Sequence, residues 1–413
     1  MSARFRALQH RNFQLFFAGQ LVSLIGTWMQ STAQLWLVYK LTGSAALLGL
    51  FGFANQIPIL LLASVGGYVA DHANRHRSVI WTQTCSMLLA LLLAALTLTH
   101  HVRVWHLLVI ALLAGVVNAF DVPIRQAFLI QMVGKPDLPN AIALNSSIFN
   151  GARVVGPALA GFAIAWVGEG WCFLLNGVSF LAVIGALLAM RLAPVAPKPE
   201  GGSPLQNFIE GFRFVMGDVP IRSALLLLSM LSLLGLQYSV FMPIFASDVL
   251  HGGARSLGFL MGAAGIGAVL GALHFAARSD YKGLTRFIAG TSSICGVCLI
   301  VFSQSRLFLL SAAVLFVVGF AATAQMAATN TLVQNRVPDP LRGRVMAVYA
   351  TMFLGVQPIG SLLAGIIARH IGAPLTLTLF GSVCLAGTLV FVFRVLLPLE
   401  SQRAGESQAG LGR

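Results

Sequence analysis

Gly67-Tyr-Val-Ala-Asp71-His-Ala-Asn74-Arg75-His-Arg77 is a short charged hinge between two long apolar runs. The runs, roughly 44–70 and 78–99, each reach the ~20 residues that carry a helix across a bilayer. So short a connection makes the two helices antiparallel neighbours. Gly67 lacks a Cβ, so another helix can approach closely there. Asp71 follows one turn later, where hydrocarbon gives way to water, and an acid at that depth needs a cationic partner. Arg75 and Arg77 are the nearest, and the positive end of a neighbouring helix is another candidate. The same residues also read as a solvated turn whose arginines only mark the cytoplasmic face.

Outward from the hinge the chain stays apolar. Of 413 residues, 57% are hydrophobic and only 9% charged, and the mean hydropathy is +0.86. That composition excludes a soluble domain and predicts an all-α polytopic membrane protein. Twelve spans are expected, at roughly 13–39, 44–70, 78–99, 104–124, 140–166, 171–192, 221–247, 256–277, 285–304, 306–331, 343–368 and 373–397. The net charge of +14 does not mark a nucleic-acid partner, because it is spread between spans instead of gathered in one run. With both termini inside, the inner loops and tails hold 19 of the 26 Lys and Arg, and the outer loops hold 5. The positive-inside rule therefore places both termini in the cytoplasm. Cys85, Cys172, Cys295, Cys298 and Cys384 all fall inside spans, which argues against a disulfide framework and reads Cys295–Cys298 as small buried side chains, not a metal or redox pair. The basic N-terminus with its long apolar run reads as an uncleaved first span.

The hinge resembles the loop between helices 2 and 3 of the major facilitator superfamily, Gly-x-x-x-Asp-Arg-x-Gly-Arg-Arg. Gly67, Asp71 and Arg75 match it, Arg77 adds a further charge, and His72 and Asn74 replace the usual Arg and Gly. The resemblance implies twelve transmembrane helices in two six-helix halves. It also implies that this loop latches the cytoplasmic side, with the acid at the start of helix 11. Before span 11, Pro338 to Met346, with Arg342-Gly343-Arg344-Val345, resembles the Pro-x-x-x-Arg-Gly-Arg-Val segment of the branch containing enterobactin exporters and macrolide efflux proteins. Gly26-Thr27-Trp28-Met29 and Leu47-Leu48-Gly49 point to the same branch. Gly156-Pro157-Ala-Leu-Ala160-Gly161 resembles the helix-5 motif of antiporters in the superfamily, with Ala160 replacing a Gly; Ala111 stands where the family's helix-4 motif has an Arg. For Arg342 and Arg344, at a helix start where the dipole disfavours cations, Asp71 or Asp339 is the expected relief.

The two halves echo each other. Shifted by 209 residues, Gly49, Asp71, Asn74 and Arg77 fall on Gly258, Asp280, Gly283 and Arg286; shifted by 204, Gly156, Ala160 and Gly161 fall on Gly360, Ala364 and Gly365. Asp280 and Arg286 are thus a second copy of the latch. An even number of spans per half makes the repeats parallel. The expected organisation is a six-helix bundle over 1–192 and a proline-rich linker with an interfacial helix over 193–219. A second bundle follows over 220–397, then a cytoplasmic tail over 398–413. In the linker, Leu205, Phe208, Ile209, Phe212 and Val215 recur at helical spacing with Glu210 and Arg213 opposite, as an interfacial helix or, alternatively, a calmodulin-type target would.

Polar residues inside spans supply the candidate site. Gln20, Ser23, Thr27, Ser31 and Gln34 form one stripe on span 1, facing a wet cavity or another helix. Asp121 and Arg125 are neighbours at i and i+4 if the helix continues through Pro123. They read as a local ion pair, or Asp121 as a proton carrier. Arg153 lies near mid-depth on span 5, where a charge faces water, an acid or a substrate; anchoring of the helix is the other reading. Gln237 and Gln325 are the candidates from spans 7 and 10.

The superfamily resemblance, together with these residues, leads us to expect a secondary transporter in a bacterial inner membrane. It exports an amphipathic drug- or siderophore-like molecule by alternating access in exchange for protons, as a monomer, with no cofactor and no metal. Arg153 and the scarcity of buried acid point to a neutral or anionic substrate, and Trp28 with the many Phe and Met residues to a bulky one. An importer or lipid flippase on the same fold, or a non-transporting sensor, are the alternatives. An enzyme would need His, Asp, Glu or Cys converging at one depth, and the nine histidines lie mostly at span ends and in loops, with His274 an isolated exception. No Walker loop is present, so ATP is not the direct energy source.

Overall fold

The structure is a computed structural model that describes residues 3–191, 204–278 and 283–398. Asp280, the linker up to residue 203 and the tail beyond Pro398 lie outside the described residues. Within them there is no strand. A 3-10 turn, Ala3–Gln9, leads into α1 (Arg11–Thr42), α2 (Ala45–His72), α3 (Arg75–Leu98), α4 (Val104–Val167) and α5 (Glu169–Leu188). After the linker come α6 (Pro204–Gly217), α7 (Val219–Leu233), α8 (Tyr238–Ile244), α9 (Gly253–Ala276) and α10 (Leu284–Gln304). The chain ends with α11 (Phe308–Arg336), α12 (Asp339–Ala350), α13 (Gln357–Ile371) and α14 (Ala373–Phe391).

Ten helices are long and apolar enough to cross a membrane, counting α7 with α8, and α12 with α13, as single spans. The 64-residue α4 counts once there but holds two of the predicted spans. It bends at Gly134, whose φ of 72° is open to glycine and strained for other residues. Splitting it gives eleven. The twelfth is α1, whose 32 residues include Gln14, Gln20, Gln30 and Gln34 and so are less apolar. Span 7 is broken by the 3-10 turn Gly235–Gln237, span 11 by a π turn over Thr351–Gly355.

Packing contacts gather the chain into two compact units, Met1–Gly201 with Val240–Gly265, and Gly202–Ser239 with Ile266–Arg413. The stretch Val240–Gly265, which the repeat assigns to the second half, packs with the first unit.

In the first unit, α2 and α4 form the most extensive pairing, and its cause is visible in the sequence. Pro123 has no N–H, so the Ala119 carbonyl four residues before it loses its helical donor. Gly66 of α2 sits on that carbonyl: a Cβ there would lie 2.1 Å from the Ala119 oxygen and 3.3 Å from the Pro123 ring. The glycine Cα–H occupying that direction faces the freed oxygen. The notch is reciprocal, since Gly115 of α4 lies against the Asn55 carbonyl and Pro58 of α2. Close approach therefore falls on Gly66 and not, as expected, on Gly67, where an added Cβ would meet nothing within 4 Å. The helix also continues through Pro123, because the carbonyl that proline frees is covered.

The hinge loop is organised by its own residues. Asn74, in place of the family Gly, caps α3, its Oδ1 accepting from the Arg77 amide at 3.1 Å. Arg75 donates to the Ala70 carbonyl at 2.8 Å and to the Ala127 carbonyl at 3.3 Å, pinning the end of α2 to α4. Its approach to Asp71 is looser, 3.9 Å, with Asp71 half exposed. Arg77 is exposed.

In the second unit, α6 lies along α12. Val215 is fully buried with Val345, Val348 and Tyr349, and Phe208 packs beside them. Gly211 abuts the Arg344 carbonyl. Ile209 and Phe212 remain exposed, so the predicted apolar stripe divides between a protein face and an outer face. Arg342 pairs with Asp339 at 2.6 Å, and Arg344 pairs with Glu210 of α6.

Candidate functional site

Buried polar residues converge in the first unit around the first third of α1, α3 and α4. Asp121 is 4% exposed. It accepts hydrogen bonds from Thr82 Oγ1 at 2.6 Å and Gln83 Nε2 at 2.9 Å, and pairs with Arg125 at 3.3 Å. Arg125 in turn donates to Gln20 Oε1 of α1 at 2.9 Å. Gln20 Nε2 is buried with no hydrogen-bond partner among the described residues. The ion pair expected along the helix is thus one link in a chain across three helices. Thr82 and Gln83 were not singled out by the sequence reasoning. Their signal is the run Thr82-Gln83-Thr84 inside an otherwise apolar span.

The rest of the α1 stripe does not act as a unit. Thr27 donates to the Ser23 carbonyl and Ser31 to the Thr27 carbonyl, each at 2.9 Å, so these hydroxyls serve their own backbone. Gln34 is buried.

A second locus is built around Trp28. The Arg153 guanidinium lies over the indole at 5.7 Å, and Phe149 meets the same ring edge-on at 5.7 Å. Among the described residues Arg153 has no carboxylate partner. The antiporter-like motif holds this group in place. A Cβ on Gly156 would fall 2.5 Å from the Trp28 Cβ, so the glycine lets α4 seat against α1 at the indole. Pro157 is buried, and Gly161 sits against the backbone of Ala254 and Gly258. An electron-rich ring face with a half-exposed guanidinium on it makes a surface for an anionic or aromatic group.

At the opposite end of α1, Tyr39 donates to Asp248, and Lys40 pairs with Glu169 at 2.9 Å. Sequence reasoning did not use either acid.

The second unit carries neutral counterparts. Gln237, in the 3-10 break, donates to the Ser232 carbonyl and accepts from Ser361 Oγ, both at 2.9 Å. Gln325 and Thr329 are fully buried on α11, and neither the Gln325 amide nor the Thr329 hydroxyl has a hydrogen-bond partner among the described residues. At the 204-residue shift they occupy the places of Asp121 and Arg125. An unpartnered buried group costs ~1–3 kcal/mol. Gln325→Leu with Thr329→Val should therefore leave the melting temperature unchanged or raise it, as read by a thermal unfolding scan in detergent. A clear drop would mean that these groups are satisfied. Arg286 is described and Asp280 is not, so the second latch copy is seen only in part.

Comparison with known proteins supplies the family. The transmembrane secretion effector model of the major facilitator superfamily matches residues 2–410. The staphyloferrin A transporter of Staphylococcus aureus is 27% identical over 401 residues, 95% of this chain and 99% of that one. The multidrug efflux pump Tap of Mycolicibacterium fortuitum is 28% identical over 373 residues, 88% and 90% of the two chains. The enterobactin exporter of Shigella boydii serotype 4 is 25% identical over 398 residues, 95% and 93%. Among solved structures, a bacterial homologue of the human lysosomal transporter Spinster aligns with a TM-score of 0.71 at 15% identity, covering 95% of this chain and 97% of that one. The nucleoside transporter NupG aligns with 0.72 at 15% identity, covering 94% and 100%; these two show the fold alone. The buried charges, the twelve spans and the full-length match agree: this chain belongs to the transmembrane secretion effector family of the major facilitator superfamily and is a multi-pass membrane transporter, not an enzyme.

Proposed function

We propose that this transporter exports an anionic or neutral amphipathic small molecule, of siderophore or drug type, from the cytoplasm of a bacterium in exchange for protons. The observation that carries the substrate class is Arg153 on the face of Trp28, beside Phe149 and without a carboxylate partner among the described residues. A cation with no acid beside it favours an anion, and two aromatic rings favour a flat or bulky apolar body. Relatives named as a staphyloferrin A transporter, a multidrug efflux pump and an enterobactin exporter support the same class. The protein acts in the inner membrane as a monomer, with both termini cytoplasmic, without nucleic acid or cofactor, and with the proton gradient as energy source.

Coupling runs through Asp121. As a carboxylate it holds Arg125, and Arg125 holds Gln20 of α1. A proton on Asp121 removes the ion pair, leaving Arg125 and its grip on α1 weaker. Trp28 stands two turns further along α1, so the change reaches the substrate-facing ring through one rigid helix. The path then opens alternately to the two sides of the membrane.

Reconstituted protein in liposomes with an imposed pH gradient tests both parts. Export-direction flux of a catecholate or carboxylate siderophore should depend on the gradient, and Asp121→Asn should abolish that dependence while ligand affinity is kept. Arg153→Gln should weaken binding of an anionic ligand by about tenfold, the loss of one desolvated charge contact. Gradient-insensitive flux overturns the exchange; unchanged anion affinity in Arg153→Gln overturns the substrate class.

A further inference from the structure

We propose that the first unit carries a binding site for an anionic phospholipid of the inner leaflet, in a groove between α1 and α5. This site is separate from the transport chemistry and independent of the proposed substrate.

The groove holds about 550 Å³ and is open on one side, within the ~300–1,000 Å³ of small-molecule pockets. Ala18, Gly19 and Val22 of α1 and Ala182, Gly185 and Ala186 of α5 form its walls. Small side chains let the two helices meet closely at Gly19, whose Cβ direction ends 2.8 Å from the Val183 Cα, and leave a trough open above that contact. The exposed Leu21, Leu181 and Leu188 flank it with surface suited to lipid.

One end of the groove is polar and cationic. Ala189 and Gln14 close it, and Gln14 is held there by donating to the Leu8 carbonyl at 2.6 Å. Arg11 and Arg191 stand at the same end. Asn12, next to Arg11 in the chain, holds the Arg191 backbone there, donating to its carbonyl at 2.8 Å and accepting from its amide at 3.3 Å. Arg11 reaches the Ala189 carbonyl only weakly, at 3.5 Å. Both arginines are exposed, and among the described residues neither has a carboxylate partner. Two guanidinium groups at the mouth of an apolar trough match a phosphate head above a fatty chain. Basic pockets between transmembrane helices on the cytoplasmic side recognise such headgroups. A zwitterionic lipid fits the trough but brings its own cation to the arginines, so selectivity for the anionic head is the expected signature.

Native mass spectrometry of the full chain in detergent, titrated with phosphatidylglycerol and with phosphatidylcholine of identical acyl chains, reads this directly. The wild type should retain phosphatidylglycerol preferentially, and inorganic phosphate should fail to displace it. The double variant Arg11→Gln, Arg191→Gln should bind it about thirtyfold more weakly, as two surface arginine contacts predict. Gly185→Leu should lose both lipids, since a side chain there meets no protein atom within 4 Å and projects into open space. It tests the trough even if the arginine variant folds poorly. Equal retention of the two lipids by the wild type, displacement by phosphate, or unchanged binding in Gly185→Leu would overturn the site. So would a dimer that Gly185→Leu abolishes, because a second copy would then fill the groove.

Discussion

Replacing Asp121 with alanine lowers the stability of the transporter by about 3–5 kcal/mol, the usual result of leaving one half of a buried ion pair alone. Asp121 is almost wholly enclosed and satisfies Thr82, Gln83 and Arg125 at once. Without it, Arg125 keeps, among the described residues, only the Gln20 amide oxygen as a side-chain partner. The partner experiment is Asp121→Ala combined with Arg125→Met. An apolar replacement of both ends removes the stranded charge, so most of the lost stability should return. Unfolding midpoints of the single and double variants close the cycle. If the double variant is no more stable than Asp121→Ala, the charge left on Arg125 is not the source of the loss.

The second large effect is steric. Gly66→Val should cost at least about 3 kcal/mol, or prevent accumulation of folded protein, because overpacking a tight contact is destabilising. The new Cβ would stand 2.1 Å from the Ala119 oxygen, and that atom is backbone, which cannot rotate away. Gly67→Val, one residue on, should be nearly silent for packing, as nothing lies within 4 Å of its Cβ direction. Yield of monodisperse protein and its melting temperature distinguish the two. Equal tolerance at both positions would mean that α2 and α4 do not meet at this notch.

Much of this was legible in the chain itself. Apolar run lengths placed the spans, and the hinge from Gly67 to Arg77 located the turn between α2 and α3. The i, i+4 spacing of Asp121 and Arg125 announced their pairing. What the sequence withheld depends on register between helices. Gly66 and Gly67 are equivalent in a string of letters; only the rotation of α4, with the carbonyl freed by Pro123, selects the first. Thr82 and Gln83 reach Asp121 across 39 and 38 residues, and no local rule joins them. Arg344 was expected to find Asp71 or Asp339, but its partner is Glu210, on an amphipathic helix whose apolar pattern alone hid which face meets protein. The twist of span 7 about Gly235–Gln237 likewise could not be placed by hydropathy, which averages over a break of three residues.

The reciprocal notch between α2 and α4 has a mechanical consequence. A joint made of glycine, main-chain carbonyls and proline rings has few rotamers to exchange and little to compress. Its two members are therefore held together as a single plate, and flexing is left to seams formed by longer side chains. A displacement of α4 at Ala119 would reach the Asp71 end of α2 as by a lever and not a spring.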